Sequence, residues 1–237
     1  VQIIVDSTAD FSAKEIEKRQ ITCIPMTVTF GNEQYIDGVD LTKEEFFVKL
    51  TNEKEFPKTS QPSPAKFADC FEEAKENGDD VVAILVSGAL SGTVQSATIA
   101  KDIAEHDGVY IVDSKSATLG IRLLVDRAVR MRDQGKSAKE IADALDELKA
   151  RVRIFAGLDT LEYLQKGGRI SKTAASIGRL AGIKPIITID EEGKVAVCGK
   201  QRGNKNVFRQ IIKYVKADMP DENYSVYFLY SADKKNC

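Results

Sequence analysis

Short runs of apolar residues recur along the first half of the chain, separated by longer segments with helical periodicity. The three clearest runs are residues 3–5, 81–86 and 109–112. Strands that are apolar on both faces are typical of parallel sheets covered by helices on each side. Because strands and helices alternate, the pattern predicts an α/β domain built on a twisted parallel sheet.

Helix starts are marked by hydroxyl residues followed three positions later by glutamate. Three pairs have this capping-box spacing: Ser12 with Glu15, Thr42 with Glu45, and Ser137 with Glu140. At that spacing the hydroxyl and the carboxylate each accept a hydrogen bond from a backbone N–H that lacks a partner within the helix. Ser63 before Pro64 predicts a further helix start, and Gly78 predicts where that helix ends.

The pattern changes after about residue 153. Residues 153–158 form another mainly apolar run. Farther along, the strand-like segments 184–189 and 194–198 flank an acidic turn that contains Gly193. Two strands joined by such a turn predict an antiparallel hairpin.

The rest of the chain predicts a smaller α+β domain around this hairpin. A helix at about 205–216 and a strand-like run at 225–230 complete it. We therefore predict two domains: residues 1–155, a parallel α/β domain that carries the binding loops, and residues 156–237, a smaller α+β domain.

Composition narrows the functional classes. The chain has 237 residues and a formal net charge of −2 at pH 7, so it lacks the basic excess of a general nucleic-acid-binding protein. No apolar stretch approaches the ~20 residues that cross a bilayer, and we identify no secretory signal. We expect a cytoplasmic protein with no stable membrane insertion and no nucleic-acid partner.

Cysteine and histidine usage argues against a metal site. The four cysteines are scattered, without the close pairs of a zinc site. The single histidine, His106, precedes Asp107 and Gly108, so we interpret it as a solvated residue near a helix end. We predict neither a metal site nor a histidine-dependent catalytic triad.

Three segments rich in Ser, Thr or Gly are candidate binding loops: residues 58–62, 87–93 and 166–171. The second follows an apolar strand and precedes a predicted helix. Such a loop is expected to leave backbone N–H groups facing outward, because the first N–H groups of a helix lack partners within it, so the segment suits an anion. Hydroxyls of two loops at one sheet edge can donate to both oxygens of a carboxylate.

Other polar segments have structural alternatives. Residues 6–10 follow the first strand, at the edge where α/β sheets bind ligands, but a turn that caps the next helix is the favoured local interpretation. A turn is also favoured for residues 58–62 taken alone. Arg169 and Arg202, both near glycines, are candidate cations for a carboxylate or phosphate, or else solvated arginines. No phosphate-loop consensus or nucleophile elbow occurs.

Six segments together resemble the DegV family of fatty-acid-binding proteins, which includes the carrier subunit of bacterial fatty acid kinase. They are residues 6–10 (Asp-Ser-Thr-Ala-Asp), 58–62 (Lys-Thr-Ser-Gln-Pro), 90–93 (Leu-Ser-Gly-Thr), 113–116 (Asp-Ser-Lys-Ser), 166–171 (Lys-Gly-Gly-Arg-Ile-Ser) and 183–186 (Ile-Lys-Pro-Ile). They occur in the family's order and spacing across nearly the whole chain. Each is weak alone, whereas six in sequence form a specific signal.

The resemblance implies a DegV-like fold with a long-chain fatty acid, such as palmitate, stearate or oleate, buried between the two domains. By that resemblance the Thr59 and Ser91 hydroxyls hold the carboxylate, and the second domain covers the lipid. The arginines are expected near the head group or the partner surface. The ligand-binding residues so implied are Thr59, Ser60, Ser91, Gly92, Thr93, Arg169 and Arg202.

The resemblance also implies a bacterial carrier protein rather than an enzyme. It would present the fatty acid to the catalytic subunit of a separate ATP-dependent fatty acid kinase for acyl phosphate formation, without a catalytic residue, metal or cofactor of its own. We expect a monomer. Two other functions stay open: a hydrolase or acyltransferase with Ser87 or Ser91 as nucleophile, and a nucleotide-binding regulatory module.

The C-terminal end departs from the family pattern. Family members continue with further secondary structure and a Gly-rich segment whose histidine also contacts the carboxylate. Here the sequence ends at residues 233–237, so we expect a second domain that is incomplete at its C-terminus, with an unpaired edge or an open wall.

Overall fold

The structure, a computed structural model, describes residues 1–53, 55–175 and 182–231. By its internal contacts the chain divides into two compact units, Val1–Val152 and Arg153–Cys237. The boundary that the sequence predicts, near residue 155, lies next to this division. Each unit has sheets and helices of its own.

Seven strands occur among the described residues of the first unit. They are β1 (Gln2–Asp6), β2 (Thr22–Ile24), β3 (Thr27–Phe30), β4 (Glu33–Ile36), β5 (Lys58–Ser60), β6 (Val81–Leu85) and β7 (Val109–Asp113). Four of them form a parallel sheet in the order β2-β1-β6-β7. Every residue of β6 is buried, as its uninterrupted apolar sequence predicts. The predicted parallel sheet is confirmed, with β2 as an additional edge strand.

Six α-helices accompany these strands in the part of this unit that the structure describes. They are α1 (Ala13–Arg19), α2 (Lys43–Asn52), α3 (Pro64–Glu76), α4 (Thr93–Ala104), α5 (Leu119–Asp133) and α6 (Ala138–Lys149). All three predicted capping boxes are present, at the starts of α1, α2 and α6. Ser63 caps α3 ahead of Pro64, and Gly78 follows its end at a φ of 71°. The local start and stop signals are therefore confirmed.

One hydrophobic core of the first unit lies between the parallel sheet and the pair α3 and α4. Phe67 and Phe71 of α3 have no exposed surface, and they pack with Ala97 and Ala100 of α4 against the sheet. Small residues on α4 let the two helices approach closely. This packing fixes the position at which α4 begins, which is where the 87–93 loop ends.

A second, antiparallel sheet in the first unit was not predicted. Its order is β4-β3-β5, and β3 alternates half-buried and buried residues, with Val28 and Phe30 facing a small core. A two-residue connection with Gly31 at a φ of 55° joins β3 to β4. This sheet carries Thr59, a residue of β5 that pairs with Val28 of β3.

The second unit is built on an antiparallel sheet. Its elements are β8 (Phe155–Gly157), α7 (Glu162–Lys166), α8 (Lys172–Ala175), β9 (Ile183–Ile189), β10 (Val195–Arg202) and α9 (Asn204–Ala217). The order is β10-β9-β8, and the predicted hairpin is confirmed as β9 and β10. Helix α9 packs on this sheet, with Tyr214 stacked on Phe155 at a ring-centroid distance of 5.2 Å.

One predicted strand is wrong. Residues 225–230 form no strand in the described part of the chain, and Phe228 is 82% exposed. A strand needs a neighbour for its backbone N–H and C=O groups, and none of the described strands pairs with this segment. Residues 233–237, where we expected the second domain to be incomplete, lie outside the described residues.

Candidate functional site

The carboxyl end of β1 carries a buried aspartate that links two of the candidate segments. One oxygen of Asp6 accepts a hydrogen bond from Thr8 N at 2.9 Å, and the other accepts from Val86 N at 2.8 Å. Burial raises the pKa of this carboxyl above its ordinary value, although those hydrogen bonds oppose the shift. Asp6 thus caps the short turn Ser7–Ala9, in agreement with the turn favoured from the sequence, and also holds the start of the 87–93 loop.

The 87–93 loop is a closed turn around the buried Ser87. Its N–H groups donate within the protein: Ala89 to Ser87 Oγ at 3.2 Å, Leu90 and Ser91 to the Ser87 carbonyl at 2.9 and 3.1 Å, and Gly88 to Asp113 Oδ1 at 3.1 Å. The expectation that these groups face outward is therefore wrong for residues 88–91. Each is already satisfied by a neighbouring oxygen, so the N–H groups of residues 88–91 are not available to an anion.

Asp113, at the carboxyl end of β7, fixes the other side of the loop. Besides Gly88 N, it accepts from Lys115 N at 3.0 Å and lies 2.9 Å from Lys115 Nζ. Burial alone would raise the pKa of Asp113, but the hydrogen bonds from Lys115 and Gly88 outweigh it and hold the pKa below its usual value. A Cβ at Gly88 would lie 3.0 Å from Oδ2 of this carboxylate, a tight contact, so a larger residue would require the Asp113 side chain to shift.

Helix α4 begins directly after this loop with two hydroxyl groups at its start. Gly92 is the N-cap residue, and none of the described side chains caps the helix. The first N–H groups of α4 therefore have no side-chain acceptor and suit an anion. Ser91 Oγ lies 2.8 Å from Thr93 Oγ1, with Ser91 half-buried and Thr93 buried. This start is the strongest candidate anion site in the first unit.

The 58–62 loop lies against this helix start. A Cβ at Gly92 would lie 2.5 Å from Gln61 Nε2, so the Gln61 amide occupies the space that a side chain would fill. Thr59 and Ser60, on β5, are exposed. The structure thus brings together the two hydroxyl loops that the sequence singles out, through Gln61. That the Thr59 and Ser91 hydroxyls both hydrogen-bond the same carboxylate stays a prediction.

Met26 joins three polar segments, a role that the sequence did not reveal. Its N–H donates to Ser7 Oγ at 3.1 Å, and its sulfur lies 3.9 Å from Thr93 Oγ1. The next residue, Thr27, lies opposite Ser60 in the small sheet. The alternation along β3 and the glycine turn after it are the signal that could have placed this residue near the site.

The two candidate arginines belong to the second unit. Arg169 follows the Gly167-Gly168 turn after α7, and its guanidinium donates to the Gly167 carbonyl. Arg202 is the last residue of β10, with an exposed side chain. Both present charged groups to solvent, and their contact with a head group stays a prediction.

A serine nucleophile with a histidine base does not fit the geometry. Ser91 precedes α4 and His106 follows it, so the length of that helix, about 18 Å at 1.5 Å per residue, separates them. The His106 ring instead bonds the Asp79 carbonyl at 2.9 Å. Burial raises the pKa of the Cys23 thiol to about 12, so it is a poor nucleophile too.

The family model described as "Uncharacterised protein, DegV family" matches residues 1–237. The chain belongs to the DegV family. A DegV domain-containing protein from Caldanaerobacter subterraneus subsp. tengcongensis is 39% identical to this DegV protein over 216 residues, which cover 91% of this chain and 76% of that relative. The resemblance drawn from the six segments is confirmed.

Solved DegV structures share the fold of this DegV protein. A stearic acid-binding protein from Eubacterium ventriosum is 35% identical, with a TM-score of 0.83 over 92% of this chain and 78% of that one. The Fatty Acid Kinase (Fak) B3 protein from Streptococcus pneumoniae, loaded with linoleic acid, is 25% identical, with a TM-score of 0.80 over 91% and 78%. The predicted combination of an N-terminal parallel α/β domain and a smaller C-terminal α+β domain is confirmed.

Within the described ranges, His, Cys, Asp and Glu form no group of three suited to a metal ion. None of the described helices combines the length and the apolar character that crossing a bilayer requires.

Among the described residues there is also a surface pocket of about 450 Å³ beside β3 and α2, lined by Glu33, Glu53 and Glu55 among others. Three carboxylates would repel an anionic head group, so this pocket is a poor candidate for one.

Proposed function

We propose that this DegV protein is a carrier that binds a long-chain fatty acid and that the Thr59 and Ser91 hydroxyls hold its carboxylate. The observation that carries the proposal is the start of α4, where two hydroxyls stand beside N–H groups without a side-chain cap. Such groups attract a carboxylate. The stearic acid-binding relative, at 35% identity, supports a fatty acid as the ligand.

The tail and the head group should contribute differently to binding. Burying a methylene group stabilises the complex by about 0.8 kcal/mol, so a tail of roughly fifteen methylenes offers on the order of 12 kcal/mol before entropy is subtracted. Hydroxyl contacts at the carboxylate contribute about 1–3 kcal/mol together. Tail burial should therefore dominate affinity, while Thr59 and Ser91 set the position of the oxygens.

We further propose that the bound acid is the substrate of a separate ATP-dependent kinase. A carboxylate oxygen attacks the γ-phosphorus of ATP, the bond to the β-phosphate oxygen breaks, and acyl phosphate and ADP form. This chain has no phosphate-loop sequence, and the hydroxyl beside Ser91 is Thr93 rather than a base. Its contribution is positioning. The similarity to a fatty acid kinase B3 protein supports this role.

The ligand itself gives the first test. We expect denaturing extraction of the purified protein, followed by mass spectrometry, to yield a fatty acid with a long acyl chain in about equimolar amount. A protein that carries no lipid and does not take up added oleate would contradict the proposal. Binding of ATP by calorimetry in the absence of lipid would instead favour a nucleotide-binding module.

Ser91→Ala tests the division between tail and head group. Because loss of one hydroxyl removes about 1 kcal/mol, lipid retention should fall by about tenfold or less. Acyl phosphate formation with a kinase should fall much further, since the reacting oxygens are no longer positioned. Thr98→Ala is the matched control, because this exposed hydroxyl of α4 donates to the Val94 carbonyl of its own helix at 2.9 Å. Loss of lipid without a kinetic defect would contradict this division.

A further inference from the structure

Two hydroxyls at the start of α4 share one hydrogen bond whose direction is open. Ser91 Oγ and Thr93 Oγ1 lie 2.8 Å apart, and either oxygen can be the donor. A hydroxyl has one proton to donate and two lone pairs that accept. Only one of the two protons therefore lies between these oxygens, and the other proton is left for a third group.

Thr93 and Ser91 differ in what else they reach. Thr93 has no exposed surface, whereas Ser91 is half-buried. Besides Ser91, the Thr93 hydroxyl reaches the Met26 sulfur at 3.9 Å. A thioether is a weak acceptor, so the Ser91 oxygen is the better partner for this buried donor. A group that arrives from solvent meets Ser91 rather than Thr93.

The position of the shared proton decides what Ser91 offers to a ligand. If Ser91 donates to Thr93, only Ser91 lone pairs face outward, and these repel a carboxylate. If Thr93 donates to Ser91, the Ser91 proton is free for a carboxylate oxygen. The bond from Thr93 then also polarises the Ser91 hydroxyl and strengthens the bond that Ser91 donates.

We propose that Thr93 is a positioning residue, which donates to Ser91 Oγ and so directs the Ser91 proton toward the carboxylate of the ligand. With the site empty, the Thr93 proton is shared between Ser91 Oγ and the Met26 sulfur, and carboxylate binding shifts it to Ser91. The proposal rests on the proposed function, because it adds a residue to the same head-group site. Thr93 acts on the ligand through Ser91 and does not touch it.

Calorimetry with oleate, on the full chain freed of bound lipid, measures the contribution of Thr93. Thr93→Val keeps the shape of the side chain but removes its proton. The Ser91 O–H bond then has three staggered orientations, of which one faces the ligand, so oleate affinity should fall about threefold. Thr93→Ser keeps the hydroxyl and should restore the affinity. Unchanged affinity in Thr93→Val, or an equal loss in Thr93→Ser, would overturn the proposal.

A cycle with Ser91→Ala separates positioning from a structural role. Because Thr93 acts through Ser91, adding Thr93→Val to Ser91→Ala should lower oleate affinity no further. A threonine that only stabilises the start of α4 would lower the affinity by the same factor in both backgrounds. Equal losses in the two backgrounds would therefore contradict the positioning role. If circular dichroism shows that Thr93→Val does not fold, Thr93→Ala carries the same comparison.

Met26→Leu tests the same arrangement from the other side. Leucine keeps the buried volume and removes the acceptor that competes for the Thr93 proton. Oleate affinity should therefore be kept or rise by up to about twofold. A loss as large as that of Thr93→Val would mean that packing around Thr93, and not its proton, controls binding.

Thr98→Val is the matched control on the same helix. The Thr98 hydroxyl is exposed and donates to the Val94 carbonyl at 2.9 Å, so this variant should bind oleate as the wild type does. A threefold loss here as well would assign the effect to valine in α4 and overturn the role of Thr93.

Oleate binding by the wild type separates this proposal from the one on which it rests. If the wild type binds oleate and Thr93→Val binds it equally well, the positioning role is wrong and the carrier function stands. If the wild type never binds oleate, the carrier function fails first.

Discussion

At the scale of single residues, Asp6 shows how one buried carboxylate organises a binding edge. It is wholly buried, and its two oxygens hold the turn after β1 and the backbone of Val86 after β6. A buried charge is costly unless it is hydrogen-bonded. The sequence pattern at residues 6–10 could indicate a cap for the turn, but the contact with Val86, eighty residues away, depends on the pairing of β1 with β6.

We expect Asp6→Asn to lower the free energy of unfolding in a pH-dependent way. The amide keeps an acceptor for Thr8 N but turns its NH₂ toward Val86 N, which leaves that group unsatisfied at a cost of about 1–3 kcal/mol. Because burial raises the folded pKa of Asp6 above 3.8, the stability that the wild-type carboxyl contributes is fully present below 3.8 and is lost as pH rises through the folded pKa.

Urea unfolding of both proteins, from just below pH 3.8 to neutral, measures this difference. The wild type should exceed the variant most at the acid end, and the gap should narrow as pH rises. Carboxyls elsewhere titrate in both proteins, so their contributions cancel. A gap that widens toward neutral pH would mean that the ionised form is favoured by folding and that burial does not control the pKa of Asp6.

At the scale of elements, short sequence motifs correctly predicted the features that depend on neighbouring residues, namely helix starts and one hairpin turn. The capping boxes, the proline start of α3 and the hairpin turn involve neighbours within a few residues, and all are present. Strand β5 could not be predicted this way, because its three residues are polar and exposed and become a strand only by pairing with β3. The closed turn at 87–93 likewise depends on Asp113, from the end of the next strand.

The contact between the two hydroxyl loops yields a prediction at this scale. Gly92 has a φ of −75°, which alanine adopts without strain, so a cost of Gly92→Ala comes from its contact with Gln61. We expect Gly92→Ala to destabilise the protein by about 1 kcal/mol or less, because the added methyl displaces only the end of the exposed, flexible Gln61 side chain. Adding Gln61→Ala should restore most of that loss, with a coupling free energy of about 0.5–1 kcal/mol.

A double-mutant cycle in urea measures this coupling. Gln34→Ala, an exposed glutamine of β4 in the same small sheet, serves as the control partner and should combine additively with Gly92→Ala. If Gln61→Ala is also additive with Gly92→Ala, the two loops are not in contact in solution. The shared carboxylate site would then lose its structural basis.

At the scale of the whole molecule, six short segments identified the family from sequence more securely than any one of them located a site. Their order and spacing reflect a chain that has to return to the same sheet edge after each strand. The apolar run at residues 225–230 predicted a strand that is not present, because an apolar sequence becomes a strand only when a neighbouring strand pairs with it. Family membership therefore predicts the fold, whereas the binding of a ligand depends on the contacts of individual side chains.

The first unit should also fold without the second. Residues 1–152 contain both of its sheets and a core in which Phe67 and Phe71 are wholly buried, so this fragment should fold cooperatively by itself. Phe71→Ala leaves a cavity and should lower the free energy of unfolding by about 3–5 kcal/mol in the fragment. The same substitution should cost as much in the full chain if the core is self-contained. Urea unfolding followed by circular dichroism compares the two, and a broad, non-cooperative transition of the fragment would show that its core depends on the rest of the chain.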